Sequence, residues 1–458
     1  MANVMDYIDW RGDVPFSVSP FNEVDNLAFC LISFIDLNGI LPERARDGVL
    51  TLEKAVERYL AAHPDDEASL GLIVPSQTRP LMRRMAESER FRHTRLRAFV
   101  DHIDENVQKQ IAAMTVELDD DTLFVVFRGT DDTLVGWKEN FNMSFLAAIP
   151  AQCEAVAYLE SVAKDLPDRR IFVGGHSKGG NLAIYAAIHA SDEVKSRVVQ
   201  VYSNDGPGYR REVVESVEYQ QMQNRIVNII PQSSVVGRML EHGESYTSVT
   251  STATGLWQHD GFSWEVKGTT FVPAPSLTQE SEMIDRSLKK WTAEMSDEQL
   301  EQLVDAMYRI LTATNAKTLT DLTRDRNWFW QLMTAGDPQS RKTVFSAVSQ
   351  LTGEAGKQWL ERTLPSLIKL RVTEDKASDL KQATEDEAVN EDRMDVSEPA
   401  ALTQEEPAKA TTRGKDPIDR VLERIVIERH KAQAKKSKCA SCPRRESCPK
   451  IAKKKQCE

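Results

Sequence analysis

The stretch Val173-Gly174-Gly175-His176-Ser177-Lys178-Gly179-Gly180-Asn181-Leu182-Ala183 constrains this 458-residue chain more than any other. An apolar, β-prone run, Ile171-Phe172-Val173, leads into it, and a helix-prone run over residues 182–190 leads out. A strand, Gly-x-Ser-x-Gly and a helix, in that order, is the pattern of a nucleophile elbow. Such a turn holds its central serine in a strained conformation, and only glycines beside the serine let strand and helix pass so closely. Ser177 would then stand at a helix N-terminus, where backbone N–H groups stabilise a developing oxyanion. The same residues also suit a glycine-rich turn whose serine merely caps a helix. The strand and helix on either side favour the elbow.

The rest of the chain supplies a core to carry such a turn. An apolar content of 41% is that of a globular protein, and the length allows one large domain with appendages or two to three domains. A net charge of −12 argues against nucleic acid as the partner of the whole protein, since phosphates would repel it. No apolar run is long enough to span a bilayer, and residues 1–13 lack the basic, apolar and small-residue succession of a secretory signal. Six cysteines in a chain of this length, four of them crowded at the C-terminus, do not read as a disulfide framework. Cytoplasmic is the expected location.

Residues 1–275 alternate strand-like and helix-like segments, the pattern of an α/β fold on a parallel-rich sheet. Helices are expected over 21–40, 51–62 and 150–165. Strands are expected over 115–118 and 123–127 as a hairpin around Asp119-Asp120-Asp121, then over 198–203, 225–230, 246–251, 262–266 and 270–272. Residues 276–372 read as a helical subdomain, with Leu300, Leu303, Met307 and Leu311 at helical spacing, Ser296 as an N-cap, and Trp328, Phe329, Trp330 and Leu332 as core bulk. Residues 373–414 are acidic and poor in large aliphatics, so they read as a disordered linker. Residues 415–458 open on a short amphipathic helix with Ile418, Val421, Leu422 and Ile425 on one face, and end in a basic tail.

An esterase needs a nucleophile, a base, an acid to orient the base, and oxyanion donors. Downstream of Ser177 the histidines are His189, His242, His259 and His430. His189 lies in the helix after the elbow and His430 beyond the linker. His259, in a loop entering the last strands, stands where the base belongs in the order Ser, acid, His; a plain surface-loop histidine is the alternative. Asp205, in Asn204-Asp205-Gly206-Pro207, ends the strand after the nucleophile helix, where such sheets present functional groups. It is equally a common turn aspartate. Asp260 is a weaker rival, being adjacent to His259. The backbone N–H of Lys178 is the expected first oxyanion donor, and Thr130, at the end of the 123–127 strand, the second. Arg128 reads as a structural ion-pair partner.

Phe127-Arg128-Gly129-Thr130, then Gly136-Trp137, then Gly-His-Ser-x-Gly-Gly-Asn-Leu-Ala resemble the core of class 3 lipases. The N-terminal Tyr7-Ile8-Asp9-Trp10-Arg11-Gly12-Asp13, the Asp-Gly-Pro-Gly turn and the late Gln-His-Asp resemble a bacterial family of lipase-like proteins with a domain of unknown function. The resemblance spans residues 1–275. It implies an α/β-hydrolase fold, Ser177 as nucleophile and an oxyanion donor from the Phe-Arg-Gly-Thr loop. Two departures stand out. Class 3 lipases carry an acid after the next strand, whereas Pro231-Gln232-Ser233-Ser234-Val235-Val236 has no carboxylate, so Asp205 must serve. Lys178 replaces the usual leucine; its cation would favour an anionic substrate or simply be solvated.

The expected function is a serine hydrolase acting on a small or lipid-like carboxylic ester through a Ser177–His259–Asp205 triad, with no cofactor for catalysis. The alternative is a weak or inactive hydrolase fold that serves as an interaction module, with a protein partner on the helical subdomain or the tail. Cys439, Cys442, Cys448 and Cys457, among lysines that favour thiolates, suit zinc or an iron–sulfur cluster. They also suit an incidental basic tail, or a metal-dependent contact with nucleic acid.

Overall fold

The computed structural model describes residues 1–64, 70–324 and 334–351. These all lie in the first of two units, Met1–Ala377 and Ser378–Glu458. The acidic linker, the amphipathic helix at 415, the four C-terminal cysteines, and Trp328, Phe329, Trp330 and Leu332 lie outside the described residues.

The chain enters through α1 (Val4–Arg11) and α2 (Glu23–Ile32), each opened by an asparagine capping box, Asn3 with Asp6 and Asn22 with Asp25. The helix expected over 21–40 stops at Ile32. Beyond it, the Asn38 N–H donates to Asp36 Oδ1 at 2.9 Å and Gly39 takes φ +74°, an Asx-type turn that competes with helix. Next come β1 (Leu50–Thr51), α3 (Leu52–Ala62) and α4 (Thr78–Glu87).

Strands β2 (Arg95–Asp104), β3 (Lys109–Glu117) and β4 (Thr122–Phe127) form an antiparallel meander with β1 at its edge. The hairpin around Asp119–Asp121 joins β3 to β4 as expected. β2 escaped the sequence reading because charged residues interrupt it and a bulge at Arg97–Val100, with Ala98 at φ +52°, breaks its alternation.

The rest of the sheet is parallel. After α5 (Leu134–Asn142) and α6 (Pro150–Asp165) comes β5 (Arg170–His176), then α7 (Lys178–His189), α8 (Asp192–Arg197) and β6 (Val198–Asn204). The short helices α9 (Arg211–Val214) and α10 (Val217–Met222) lead to β7 (Ile226–Pro231), and β8 (Tyr246–Val249) closes the order β1 to β8. Pairings from β4 to β8 are all parallel. A separate antiparallel pair, β9 (Val266–Lys267) and β10 (Thr270–Phe271), follows.

Alternation along β4 sorts its side chains between two layers. Phe124 and Val126 pack with Leu27, Phe29 and Leu81 of the N-terminal helices. Leu123, Val125 and Phe127 pack with Leu159, Leu182 and Ile188 of α6 and α7. Each such side chain, fully withdrawn from water, contributes roughly 1.5–3 kcal/mol. With helices on both faces of a sheet that is parallel through its second half, the fold is the expected α/β class. α11 (Gln279–Ala293), α12 (Asp297–Thr312) and α13 (Leu319–Arg324) follow, and a further helix covers Pro338–Leu351. Ser296 caps α12 in a capping box with Gln299, as its sequence suggested.

Candidate active site

Parallel strands in register end together, and their ends gather the candidate residues. Phe127 pairs with Gly175, and His176 with Asn204. Thr130, Ser177 and Asp205 therefore follow three neighbouring strand ends, and Ser233 and Ser234 follow the fourth, that of β7.

Ser177 sits between β5 and α7 with φ +58° and ψ −131°. A side chain in this left-handed region costs on the order of 1–3 kcal/mol, and the surrounding structure must hold it there. The holding is visible. Ser177 N–H donates to the Asn204 carbonyl at 2.9 Å, and Gly180 N–H returns to the Ser177 carbonyl at 2.9 Å. A Cβ on Gly175 would stand 2.1 Å from the Gly179 carbonyl carbon, and one on Gly179 would stand 2.1 Å from the Phe127 carbonyl oxygen. The helix starts at Lys178, four residues earlier than its propensity suggested. The Lys178 amide, first in the helix, has no intrahelical acceptor. The Ser177 hydroxyl is partly exposed and makes no hydrogen bond among the described residues.

Asp205 and His259 come together from residues 54 apart: His259 Nδ1 lies 2.6 Å from Asp205 Oδ2. With Asp205 a carboxylate, Nδ1–H is the donor and Nε2 carries the free lone pair. Asp205 is completely buried, with φ +50°, while the His259 side chain is 28% exposed. The other carboxylate oxygen, Oδ1, accepts from Ser234 Oγ at 2.5 Å and from Gly237 N–H at 3.1 Å. Ser234 lies in the carboxylate-free segment Pro231–Val236, and it donates to an aspartate that follows the preceding strand. Asp260 takes no part in orienting the imidazole. It caps the next turn by accepting from Phe262 N–H at 2.9 Å, and burial raises its pKa.

The His259 loop is tied down on two sides. Gln258 accepts from Ser233 N–H at 2.7 Å and its carbonyl accepts from Trp264 Nε1 at 2.8 Å. His176 Nε2–H donates to the His259 carbonyl at 2.7 Å, and the two rings stand 4.6 Å apart. Burial, with the neighbouring His259 second, pushes His176 down from 6.5 to about 3, so this ring is neutral. His242 belongs elsewhere, beside Glu244 at 3.1 Å in a buried cluster with Asn228 and Tyr219. His189 lies within α7 against Tyr185, and His430 is outside the described residues.

Past the end of β4, Thr130 is buried and its Oγ1 accepts from Asn140 Nδ2 at 2.6 Å, which leaves the hydroxyl hydrogen free to point elsewhere. A Cβ on Gly129 would stand 3.2 Å from that of Ser177, so this loop lies against the elbow. Arg128 is the structural partner expected, bridging Asp101 at 2.7 Å through both nitrogens and Asp131 at 3.2 Å.

Lys178 requires a correction. Its side chain neither faces solvent nor is placed to meet a substrate anion; it is fully buried, with Nζ 2.9 Å from Glu139 Oε2 and bonded to Gln110. A buried cation must be paired, and the partner, Glu139, comes from α5. His176, Ser234, Gly237, Gln258, Glu139 and Asn140 were not singled out by the sequence; of these only Ser234, standing where an acid was missing, carried a readable signal.

Among the described residues no helix is long and apolar enough to cross a membrane, and no group of His, Cys, Asp and Glu could hold a metal ion. No curated protein matches the chain. Solved structures that resemble it include the native Rhizomucor miehei lipase propeptide complex, at 17% identity and a TM-score of 0.27, covering 34% of this chain and 56% of that one. The chain thus spans little more than half of that lipase structure. A mutant form of MDLA from Penicillium cyclopium has 11% identity and a TM-score of 0.29, covering 54% of this chain and 84% of that one. M37 lipase has 12% identity and a TM-score of 0.28, covering 46% and 68%. Residues 85–309 match the Mbeg1-like family model, a span that holds β2 to β8 and every strand-end residue described above.

Proposed function

We propose that this protein is a serine hydrolase that cleaves a carboxylic ester, small or lipid-like, through an acyl-enzyme. The observation that carries the reading is the His259–Asp205 contact at 2.6 Å, delivered to the strand end adjoining a serine held at φ +58°. Ser177 Oγ attacks the acyl carbonyl while His259 Nε2 takes its proton. Asp205 holds the imidazole in the required tautomer and stabilises the imidazolium that forms. The Lys178 N–H and Thr130 receive the oxyanion. Collapse expels the alcohol, which takes the proton from His259, and water repeats the sequence on the acyl-serine.

The second reading, an inert interaction module on the same fold, is favoured by the Ser177 hydroxyl having no hydrogen-bond partner among the described residues. Labelling by a fluorophosphonate probe decides between them. The ester reading expects labelling that Ser177→Ala abolishes, and a loss of about 10³-fold or more in kcat for Asp205→Asn on whichever ester the wild type turns over. Folded wild type that neither labels nor hydrolyses a series of esters of graded chain length would establish the inert module instead.

A further inference from the structure

The Lys178 side chain, next to Ser177 in sequence, points into the protein. Its Nζ reaches the Gln110 carbonyl at 2.5 Å, Gln110 Oε1 at 2.6 Å and Glu139 Oε2 at 2.9 Å, three acceptors for three ammonium hydrogens. Both ion-pair side chains are fully buried. Both Glu139 oxygens are engaged elsewhere too: Oε2 also accepts from Gln110 N–H at 3.0 Å, and Oε1 accepts from Ala151 N–H at 2.9 Å. One carboxylate therefore joins β3, α5, the start of α6 and the first residue of α7. The next residue of α5, Asn140, donates to Thr130 Oγ1 at 2.6 Å. Two consecutive residues of one helix hold both candidate oxyanion donors.

A buried ion pair is a poor stabiliser compared with apolar side chains of the same volume. What it supplies is direction, since charge-assisted hydrogen bonds fix an angle that apolar contact leaves open. We propose that Glu139 is a positioning residue for the oxyanion site, fixing through the buried Lys178 ammonium the placement of the Lys178 backbone N–H relative to Thr130. The proposal rests on the hydrolase reading above and adds to it the device that sets donor geometry. Misplacement of a reacting or stabilising group by about 1 Å costs up to about 10²-fold in rate.

The test uses the full chain and a short-chain aryl ester. Glu139→Gln keeps size and loses charge; the double variant Lys178→Met with Glu139→Gln replaces the ion pair by a neutral pair of similar size, and serves if the single variant does not fold. A folded variant is expected to lose about 10- to 100-fold in kcat, with KM within about threefold of wild type. Its affinity for a boronic acid, which forms a tetrahedral adduct on the serine, should fall in parallel with kcat. A purely structural role would lower Tm and leave kcat per folded molecule and boronate affinity at wild-type values; that result overturns the proposal while the Ser177 mechanism stands. Wild type and Ser177→Ala alike without turnover or labelling would overturn the hydrolase reading itself, and this proposal with it.

Discussion

His176 shows how a residue inside a familiar motif acquires a use the motif does not spell out. Buried and neutral, it donates to the His259 carbonyl and steadies the loop that carries His259. Its pKa is about 3 in the folded chain against an ordinary 6.5. Between those values the unfolded chain takes up a proton at this position that the folded chain does not. The stability this group leaves intact above pH 6.5 is therefore lost as pH falls toward 3, by up to about 1.4 kcal/mol per pH unit. Urea unfolding at pH 7, 5.5 and 4.5 should show a shallower acid loss for His176→Gln than for wild type. Equal slopes would mean that other groups govern the acid limb. The imidazole could be placed in the elbow from sequence, but its burial could not, because the ring is covered by residues some 80 positions downstream.

At the scale of elements, the elbow is a close-packing problem solved by glycine. Gly175 and Gly179 leave no space for a methyl group, the obstacle for Gly179 being the Phe127 carbonyl rather than a side chain that can turn away. Gly179→Ala should therefore destabilise the fold by about 2–4 kcal/mol and displace the Phe127–Thr130 loop, whereas an overpacked side-chain contact would relax more cheaply. A thermal melt unchanged within about 0.5 kcal/mol would contradict that packing. The elbow was legible because its strand, glycines and helix are contiguous, and α6 was legible because Pro150 opens a periodic apolar run. β2 was not, since its inner face alternates with arginines and aspartates paired across the sheet, such as Arg97 with Glu117.

At the scale of the whole molecule, the helices after residue 276 contribute to the site and not only to bulk. Thr278 N–H donates to the Gln232 carbonyl at 2.8 Å, and Ser281 Oγ to the Ser234 carbonyl at 2.6 Å, bracing the loop that supports Asp205. Lys138, beside Glu139, pairs with Asp305 of α12 at 2.8 Å. Asp132, two residues from Thr130, accepts from Leu72 N–H at 2.9 Å and from Thr320 N–H at 3.0 Å, while its carbonyl accepts from Leu319 N–H at 2.9 Å. Asp132→Ala should release residues 317–320 and the 70–72 segment together, read as faster amide exchange in both. Loss confined to one of them would show that Asp132 does not join them.

Several features of this protein were decided by local sequence. The elbow is one, since a glycine-flanked serine between strand and helix has few backbone solutions. The capped helices and the hairpin at Asp119–Asp121 are others, set by hydrogen bonds that span only a few residues. Which carboxylate meets His259 was decided by the tertiary structure: Asp205 follows the end of β6, and Ser234 and Gly237, past the next strand end, fill its other oxygen. The fate of the Lys178 cation was decided the same way, by Glu139 and Gln110 arriving from two other elements. Pattern along the chain determines elements because their hydrogen bonds are local, whereas pairing and burial of charge depend on which elements become neighbours.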